Sequence, residues 1–398
     1  MSATDTALPF DGADPDAARG RLWATLIILA FGAFVVGTSE FLIMGILPDV
    51  AAALGVSTGG AGQLVTAFAL GIAFGAPTLA AATARYDRKH VLMGALGVFV
   101  LSNLAVAMLQ SYEALLAARF VSGGMAGLFY GVGIAAGAQL APEHMKARAI
   151  ATVFGGITLA TVLGSPIGIW IGQFMGWQVP FFGIAALTLA AIAAMQAVMP
   201  ATPSAQSGGL SVLGAIFRMR AVMLVLLGTV LVNTGWFAAY TYIAPFLTDV
   251  TGLAAALVPA VLIGYGVLSW LGSQLGGRLG DANLRATLFG SIGVMAAAML
   301  GLWMMGGSLV GTLALMAIWA LAAWSFVTAV QTRIVEAAGA AGSMASALNI
   351  SAFNVGIALG AALGGAAVDA TGVAVAMPLG AGLALLAAVP LTLSYRVK

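Results

Sequence analysis

The chain has 398 residues, of which 62% are apolar and only 7% are Asp, Glu, Lys or Arg. Soluble domains carry about 25% charged residues, so this composition excludes a soluble globular protein and a chain that is disordered over most of its length. The absence of cysteine excludes disulfides and thiolate metal sites, and two histidines are too few for a metal cluster. The net charge of +2 gives no support to a nucleic-acid partner. We therefore predict an all-α membrane protein without a cofactor.

Residues 1–20 open the chain with polar, acidic and small side chains, and we predict a disordered cytoplasmic tail there. The basic residues Arg19 and Arg21 come directly before an apolar run that extends to about Leu47. A cleaved secretory signal starts with positive charge and has a short apolar core, so this long run is interpreted as the first transmembrane span.

Polar breaks divide the chain after this tail into twelve apolar segments. Each has about 20 residues or more, enough to cross a ~30 Å hydrocarbon core at ~1.5 Å per helical residue. The predicted spans 1 to 12 cover residues 22–47, 60–83, 91–109, 113–140, 147–174, 178–199, 221–247, 254–277, 286–305, 309–335, 342–368 and 373–394.

Basic side chains mark every second connection of this arrangement. They are Arg19, Arg21, Arg85, Arg88, Lys89, Lys146, Arg148, Arg218, Arg220, Arg278, Arg285, Arg333, Arg396 and Lys398. The opposite connections carry the acidic residues Asp49, Glu113, Asp249 and Asp369. By the positive-inside rule, we expect a multi-pass protein of the bacterial inner membrane with both termini in the cytoplasm.

A polar stretch at 200–220 is predicted to be a cytoplasmic linker between an N-terminal half at 21–199 and a C-terminal half at 221–398. Several residues of the first half recur exactly 200 positions later. The first members of these matches are Leu47, Asp49, Val50, Gly156, Ile157, Leu159, Leu163, Gly164 and Gly172. Chance explains single matches, but several at one offset predict twelve transmembrane helices in two pseudo-symmetric six-helix halves, with a site between them.

Glycines recur at every fourth position in span 4, at Gly123, Gly127 and Gly131, and in four further spans, so the pattern is common in this chain. Each row lies on one helix face. The further rows are Gly71 and Gly75 in span 2, Gly164, Gly168, Gly172 and Gly176 in span 5, Gly272, Gly276 and Gly280 in span 8, and Gly356, Gly360 and Gly364 in span 11. Spacing alone favours ordinary close packing over smooth surfaces along which the two halves rock, and both interpretations stay open.

Glu40 and Arg119 are predicted to lie inside the membrane, in spans 1 and 4. Counted from Asp49 and Glu113, they lie ~13 Å and ~9 Å below the same surface. Unpaired charges there are costly, so we expect a mutual ion pair or a shared water-filled cavity. Intramembrane carboxylates are usually functional, so Glu40 is the candidate proton carrier. Arg119 is equally compatible with coupling and with a permanent structural salt bridge.

Spans 7 and 11 are more polar at mid-membrane than their neighbours, which indicates a pathway for a neutral or amphipathic molecule. The candidate cavity residues are Tyr130, Asn233, Trp236, Tyr240, Tyr242, Trp324, Asn349 and Asn354, with Thr241 and Phe353 nearby. Taken one at a time, each aromatic residue also fits packing or an interfacial belt, and each Asn fits an interhelical hydrogen bond.

Four stretches have a family likeness: GTSEFLIMGILPDVAAALGVS from Gly37, TLATVLGSPIGIWIGQFMGW from Thr158, TYIAPFLTDVTG from Thr241 and ALNISAFNVGIALGAALGG from Ala347. Through them the chain resembles the major facilitator superfamily over about residues 21–396. Within it, the chain is most similar to the twelve-span drug:proton antiporter branch of bacterial sugar-efflux, purine-nucleoside-efflux and chloramphenicol-resistance exporters. The resemblance implies the major facilitator fold, with spans 2, 5, 8 and 11 at the contact between halves, which favours the rocking interpretation of the glycine rows.

The superfamily motif after span 2 is only partly present. Arg85, Arg88 and Lys89 match its basic positions, whereas Ala84 replaces its usual Asp and Asp87 its second Gly. The charge-relay role implied for that Asp is therefore not expected here, and the basic residues are equally compatible with setting topology alone.

Two further motifs match. Arg119 and Gly123 fit the Arg-x-x-x-Gly motif of span 4, which implies a part for Arg119 in proton coupling. Gly164, Pro166 and Gly168 retain most of the antiport motif of span 5, although one Pro-Gly pairing is missing.

The sequence and the resemblance together predict a secondary active transporter for proton-coupled efflux of a small amphipathic drug or metabolite by alternating access. Sugar or purine-nucleoside export, or a uniporter or importer on the same scaffold, are the alternatives. The sequence shows no catalytic cluster that an enzyme would need and no ion filter that a channel would need. It also has no phosphate-binding motif, so ATP is not the expected energy source. The expected partners are substrate, protons and the lipid bilayer, and one chain holds a complete pathway, so we expect a functional monomer.

Overall fold

The structure, a computed structural model, describes residues 15–203 and 216–397, and this part of the chain is helical without strands. Helices satisfy every backbone N–H and C=O internally, which lipid requires. Spans 1 to 6 are formed by the helices Pro15–Gly45, Thr58–Thr83, Arg88–Met108, Tyr112–Leu140, Lys146–Leu159 with Ser165–Met175, and Val179–Val198, and a short helix Leu47–Leu54 follows span 1.

The second half repeats this order. Span 7 is the helix Arg220–Tyr240, spans 8 and 9 lie within Val258–Met305, and the others are Leu309–Ala338, Gly342–Thr371, and Ala376–Leu386 with Ala388–Ser394. The 48-residue stretch Val258–Met305 contains an extended residue at Asn283 (φ −160°, ψ 92°). A straight helix of that length would be about 72 Å long, so this stretch crosses the membrane twice. The eleven continuous apolar helices of the described residues thus contain the twelve predicted spans.

The predicted tail and linker fall largely on residues 1–14 and 204–215, which lie outside the described residues. The described part of the first helix covers Pro15–Gly45, so residues 15–20, predicted within the tail, are helical.

We call the two ends of the bundle by their charged residues. The basic end carries Arg85, Arg88 and Lys89, and the acidic end carries Asp249 and Asp369. Serine side chains cap the helices that enter from the acidic end at spans 2, 4 and 10, since a hydroxyl accepts from a free N–H of the first turn. These caps are Ser57, Ser111 and Ser308.

The two halves repeat the same helix contacts. A Cβ on Gly156 of span 5 would meet the Ala30 carbonyl of span 1, and a Cβ on Gly356 of span 11 would meet the Val230 carbonyl of span 7. A Cβ on Gly164 would meet the Thr38 side chain of span 1, and one on Gly364 would meet the Ala238 carbonyl of span 7. Gly71 and Gly272 approach the carbonyls of Phe120 and Leu321, so spans 2 and 4 pack as spans 8 and 10 do.

These contacts correct the rocking interpretation of the glycine rows. Each row faces a helix of its own half: span 5 faces span 1, span 11 faces span 7, and spans 2 and 8 face spans 4 and 10. The missing side chains let backbones of one half approach closely. The rows therefore pack each half internally, and they do not form the surface between halves.

The halves meet along spans 2 and 11 and along spans 5 and 8, as the resemblance implies. Gly59 lies against Gly365, and Gly266 of span 8 lies against Thr161 and Val162 of span 5. Span 5 widens to a π-helical turn at Ala160–Gly164 at this point. Proline at 166 has no N–H for the carbonyl four residues earlier, which removes one α-helical bond there.

Candidate functional site

Glu40 lies on span 1 with 8% of its surface exposed. The Tyr130 hydroxyl of span 4 donates to Glu40 Oε2 at 3.1 Å. Gly37, one turn earlier on span 1, lets span 5 approach at this depth, since a Cβ there would lie 2.9 Å from the Ala160 side chain. The carboxyl group is thus held between spans 1 and 4 by a neutral donor.

Arg119 is fully buried on span 4. Its Nη1 donates to the Ser39 carbonyl at 3.0 Å and to Ser39 Oγ at 3.3 Å, and its Nε donates to the Leu64 carbonyl at 3.5 Å. The guanidinium carbon lies 4.1 Å from the centroid of the Phe68 ring, within cation–π distance. Nη2 has no hydrogen-bond partner. Carbonyls and a ring face therefore solvate this cation, and one donor group stays unused.

Glu40 and Arg119 are brought together without a direct ion pair. Among the ion pairs of the described residues none joins these two side chains, although each feels the charge of the other. The reason is that Tyr130 takes Glu40, while Arg119 leans toward Ser39 and span 2. The structure thus places the two charges near each other on spans 1 and 4, and Arg119 Nη2 is left without a partner.

Sequence reasoning missed the polar groups that support this pair. Ser39 Oγ donates to Asn103 Oδ1 of span 3 at 2.8 Å, and Asn103 Nδ2 donates to the Phe99 carbonyl at 2.7 Å. Both residues are fully buried. The sequence did hold a signal for both residues, since each is a polar side chain within an apolar span at the depth of Glu40. Ser39 is also the direct sequence neighbour of Glu40.

The C-terminal half holds seven neighbouring rings, which we call the aromatic cluster: Trp236, Phe237, Tyr240, Tyr265, Trp319, Trp324 and Phe353. Tyr240 stacks on Tyr265 with centroids 4.9 Å apart, and both meet Trp319 edge-on. Trp236 meets Trp324 edge-on at 6.1 Å. The sequence predicted Trp236, Tyr240 and Trp324 together and missed Tyr265 and Trp319.

Other predicted cavity residues lie between helices. The Tyr242 hydroxyl donates to the Ala361 carbonyl at 2.6 Å. Asn349 donates to Gln331 Oε1 at 2.9 Å and accepts from Thr229 at 2.7 Å. The polar groups of Tyr242 and Asn349 are thus occupied by neighbouring helices.

Asn233 and Asn354 differ from Asn349 in having one unused oxygen each. Asn233 packs against Gly356 of span 11 and donates to the Thr229 carbonyl at 2.8 Å. Asn354 donates to the Ile350 carbonyl at 3.0 Å. Oδ1 has no partner in either residue.

The loop after span 2 fastens the basic end. Lys89 Nζ donates to the carbonyls of Gln196 at 3.0 Å and Met199 at 2.7 Å, where span 6 ends. Asp87 caps span 3 and accepts from Thr202 N at 2.7 Å. Arg85 is exposed over the Tyr86 ring, and the backbone N–H of Arg88 donates to the Thr202 carbonyl. The Asp at the usual glycine position is therefore a helix cap that also holds the start of the linker.

The antiport-motif residues line the contact of span 5 with span 1. Gly164 faces Thr38, and Gly168 faces Leu42. Pro166 is buried at the start of the helix that follows the π-helical turn. The structure thus places this motif directly behind the helix that carries Glu40.

A hydrogen-bonded contact joins the halves at the acidic end. Asp369 of span 11 accepts from Ser57 Oγ at 2.7 Å and from Gly59 N at 2.9 Å. The carboxylate therefore lies at the first turn of span 2, where free N–H groups and the helix dipole favour negative charge. A cleft of about 560 Å³ lies beside it, with Asp249 in its wall. Gln173 of span 5 adds a hydrogen bond to the Ala255 carbonyl before span 8.

Comparisons with known proteins agree with this architecture. A model of the Major Facilitator Superfamily matches residues 29–352. The inner membrane transport protein YdhP of Escherichia coli O157:H7 is 34% identical over 365 residues, covering 91% of this chain and 94% of YdhP. The chloramphenicol resistance protein of Streptomyces lividans is 32% identical over 340 residues, covering 84% of this chain and 86% of that protein.

Among solved structures, a D-xylose-proton symporter has the same fold, with a TM-score of 0.75 at 16% identity over 92% of this chain and 96% of the symporter. The fold and the relatives are those of multi-pass transporters and not of enzymes. The chain therefore belongs to the Major Facilitator Superfamily of membrane transporters.

Proposed function

We propose that this transporter exports a small amphipathic molecule across the bacterial inner membrane in exchange for protons. The observation that carries the proposal is the buried Glu40, bonded to the neutral Tyr130 hydroxyl beside an Arg119 with an unused N–H group. A buried carboxyl group between a neutral donor and a nearby cation has two accessible protonation states, which is what a proton carrier needs.

The charge of the carboxyl group sets the position of the guanidinium. Arg119 bonds to the Ser39 and Leu64 carbonyls in the structure. On this proposal, ionisation of Glu40 draws Arg119 Nη2 toward the carboxylate, and protonation of Glu40 restores the bonds to Ser39 and Leu64. Since these residues lie on spans 1, 2 and 4, a change in their pairing shifts three helices of one half. This movement would couple protonation to the contact between halves.

Alternating access is supported by the closed acidic end. Asp369 and Gln173 join the halves there through hydrogen bonds to Ser57, Gly59 and Ala255. We assign the basic end to the cytoplasm by the positive-inside rule, which places both termini there and the closed end on the outer face. The direction of transport is proposed from a relative: the Streptomyces lividans protein is named for chloramphenicol resistance, which a transporter provides by export. Because one chain contains both halves, it functions as a monomer.

The test is substrate-induced proton movement in proteoliposomes with an internal pH dye and an acidic lumen. Chloramphenicol, arabinose and adenosine are added in turn. Alkalinisation with one of them is expected, and Glu40→Gln should abolish it while the protein still inserts. Glu113→Gln is the matched control, because Glu113 is a carboxylate of the same half that is exposed and bonded to Ser111. Substrate flux without proton movement would contradict antiport and identify the protein as a uniporter.

A further inference from the structure

We infer that the aromatic cluster is a cargo subsite that selects uncharged aromatic molecules carrying hydrogen-bond acceptors, with Trp236, Trp319 and Tyr265 as the donors. This deepens the proposed export function and rests on it. The cluster combines three features that together define a ligand chemistry: a stacking edge, unpaired donors and the absence of buried charge.

The stacking edge is formed by rings that keep part of their surface exposed, which are Tyr240, Trp324 and Phe353. Behind them lie Trp236, Trp319 and Tyr265, which are exposed by 2%, 0% and 5%. Aromatic pairs in this cluster meet edge-on or offset, with centroids between 4.9 and 6.1 Å. Such geometry is favourable for rings and extends to a further planar ring at the exposed edge.

The unpaired donors belong to the rear rings. Trp236 Nε1, Trp319 Nε1 and the Tyr265 hydroxyl have no hydrogen-bond partner. The Trp236 N–H and the Tyr265 oxygen are close neighbours, but their contact falls short of hydrogen-bond geometry and leaves the Tyr265 hydroxyl hydrogen without an acceptor. Buried donors without partners are costly, and indole N–H and phenol O–H groups normally find an acceptor when buried. Three such groups in one cluster indicate that an acceptor arrives from outside the protein.

The cluster contains no charge that would recognise an ion. Among the described residues, the buried charged side chains are Glu40, Arg119 and Arg333. The first two belong to the N-terminal half, and Arg333 donates to the Ser394 carbonyl at 2.7 Å at the end of span 12. A charged cargo would lose its hydration in the cluster without an opposite charge to replace it. Ring-stacked, uncharged cargo with carbonyl, nitro or ring-nitrogen acceptors satisfies all three features.

The test is equilibrium binding to the purified, full-length protein in detergent without a proton gradient. Chloramphenicol and adenosine are the uncharged aromatic probes with acceptors. Tetraphenylphosphonium is the aromatic cation without acceptors, and arabinose is the probe without a ring. We expect at least one of the first pair to bind, and tetraphenylphosphonium and arabinose to bind at least tenfold more weakly.

Single-ring variants identify the donors. Trp236→Phe, Trp319→Phe and Tyr265→Phe keep a ring and remove one donor, so each should weaken binding of the aromatic probe by roughly three- to tenfold. Trp177→Phe is the matched control, because Trp177 is also buried with an unpartnered Nε1 but lies in the other half, against Phe181. Tyr265→Phe deletes a buried unpaired hydroxyl, so the melting temperature without ligand should stay the same or rise. Weaker binding at an unchanged melting temperature distinguishes a binding role from a folding defect.

Three outcomes would overturn the subsite. They are binding of neither aromatic probe, tighter binding of tetraphenylphosphonium, and equal effects of the cluster variants and Trp177→Phe. Failure of proton antiport is recognised separately. A protein that binds the aromatic probe through these donors but moves no protons in liposomes keeps the subsite and loses the coupling.

Discussion

The two halves share their helix packing but differ in buried chemistry. Gly156 on Ala30 is repeated as Gly356 on Val230, so span 1 corresponds to span 7 at an offset of 200 residues. Glu40 then corresponds to Tyr240 of the aromatic cluster. The parallel contacts of Gly71 with Phe120 and of Gly272 with Leu321 place Ala320 opposite Arg119.

A duplicated scaffold has thus retained backbone contacts and changed its side chains where spans 1 and 4, or 7 and 10, face each other. Packing contacts tolerate little change, because a single added methylene in a close backbone contact forces the helices apart. Polar and aromatic groups beside them are freer to diverge. The proposed proton site therefore lies in the first half and the proposed cargo subsite in the second, and we call this arrangement the division between the halves.

The strongest test of this division compares how substitution of the two buried arginines affects substrate-driven proton movement. Arg119→Gln removes the cation beside Glu40 and should lower substrate-driven proton movement by at least tenfold. Arg333→Gln removes a buried cation of the other half, which bonds to Ser394, and should leave the coupling ratio near that of the unchanged protein. Both are measured in proteoliposomes after confirming insertion. An equal loss of coupling in the two variants would contradict the division.

The second prediction tests whether the packing is truly repeated. Gly156→Ala and Gly356→Ala each place a Cβ against backbone of the neighbouring helix, so both should destabilise the protein by about 1–3 kcal/mol. Gly155→Ala is the control, because nothing lies within 4 Å of its Cβ position and alanine favours the helix by about 1 kcal/mol. Unfolding in detergent micelles measures all three. If either row variant were as stable as Gly155→Ala, that contact would not be structural.

The smallest expected effect concerns the acidic end, where the halves touch. Asp369→Asn keeps the shape but weakens the charge-assisted bonds to Ser57 and Gly59, so the end should open about threefold more often. The chain has no cysteine, so the labelling rate of Thr66→Cys on span 2 can report opening. Thr66 donates to the Ala358 carbonyl of span 11 at 3.3 Å, so the substitution is present in every variant compared, including the otherwise unchanged protein.

Asp249→Asn is the matched control for that experiment. Asp249 lines the same cleft, and its carboxylate accepts from the neighbouring Thr248 at 2.7 Å. Equal labelling of Thr66→Cys in both aspartate variants would show that cleft charge, and not the bonds across the halves, controls opening.

The fold was predictable because bilayer thickness fixes the length of each apolar run. The twelve spans and the likeness of the halves follow from patterns readable along one chain, whereas the contact along spans 2, 5, 8 and 11 was implied by the family resemblance. The partners of the glycine rows were not predictable from the residues. Spacing places Gly164 and Gly168 on one face of span 5 but does not say that this face meets span 1.

The sequence predicted how deep in the membrane the site residues lie but not which neighbours their side chains bond to. Glu40 and Arg119 lie on adjoining helices as expected, but the sequence does not show that Tyr130 takes the carboxyl group while Arg119 leans toward Ser39. Tyr265 and Trp319 were missed because one aromatic residue in an apolar helix resembles ordinary packing. Only the crossing of spans 7, 8 and 10 brings their rings to Tyr240.

Tyr242 has a consequence for the evolution of this protein. Its ring occupies the space that side chains at Gly62 and Gly365 would fill, and its hydroxyl is bonded to Ala361. Three helices from both halves therefore share one volume. Among relatives, a larger residue at position 62 or 365 should be accompanied by a smaller one at 242, so these positions should be inherited as a set.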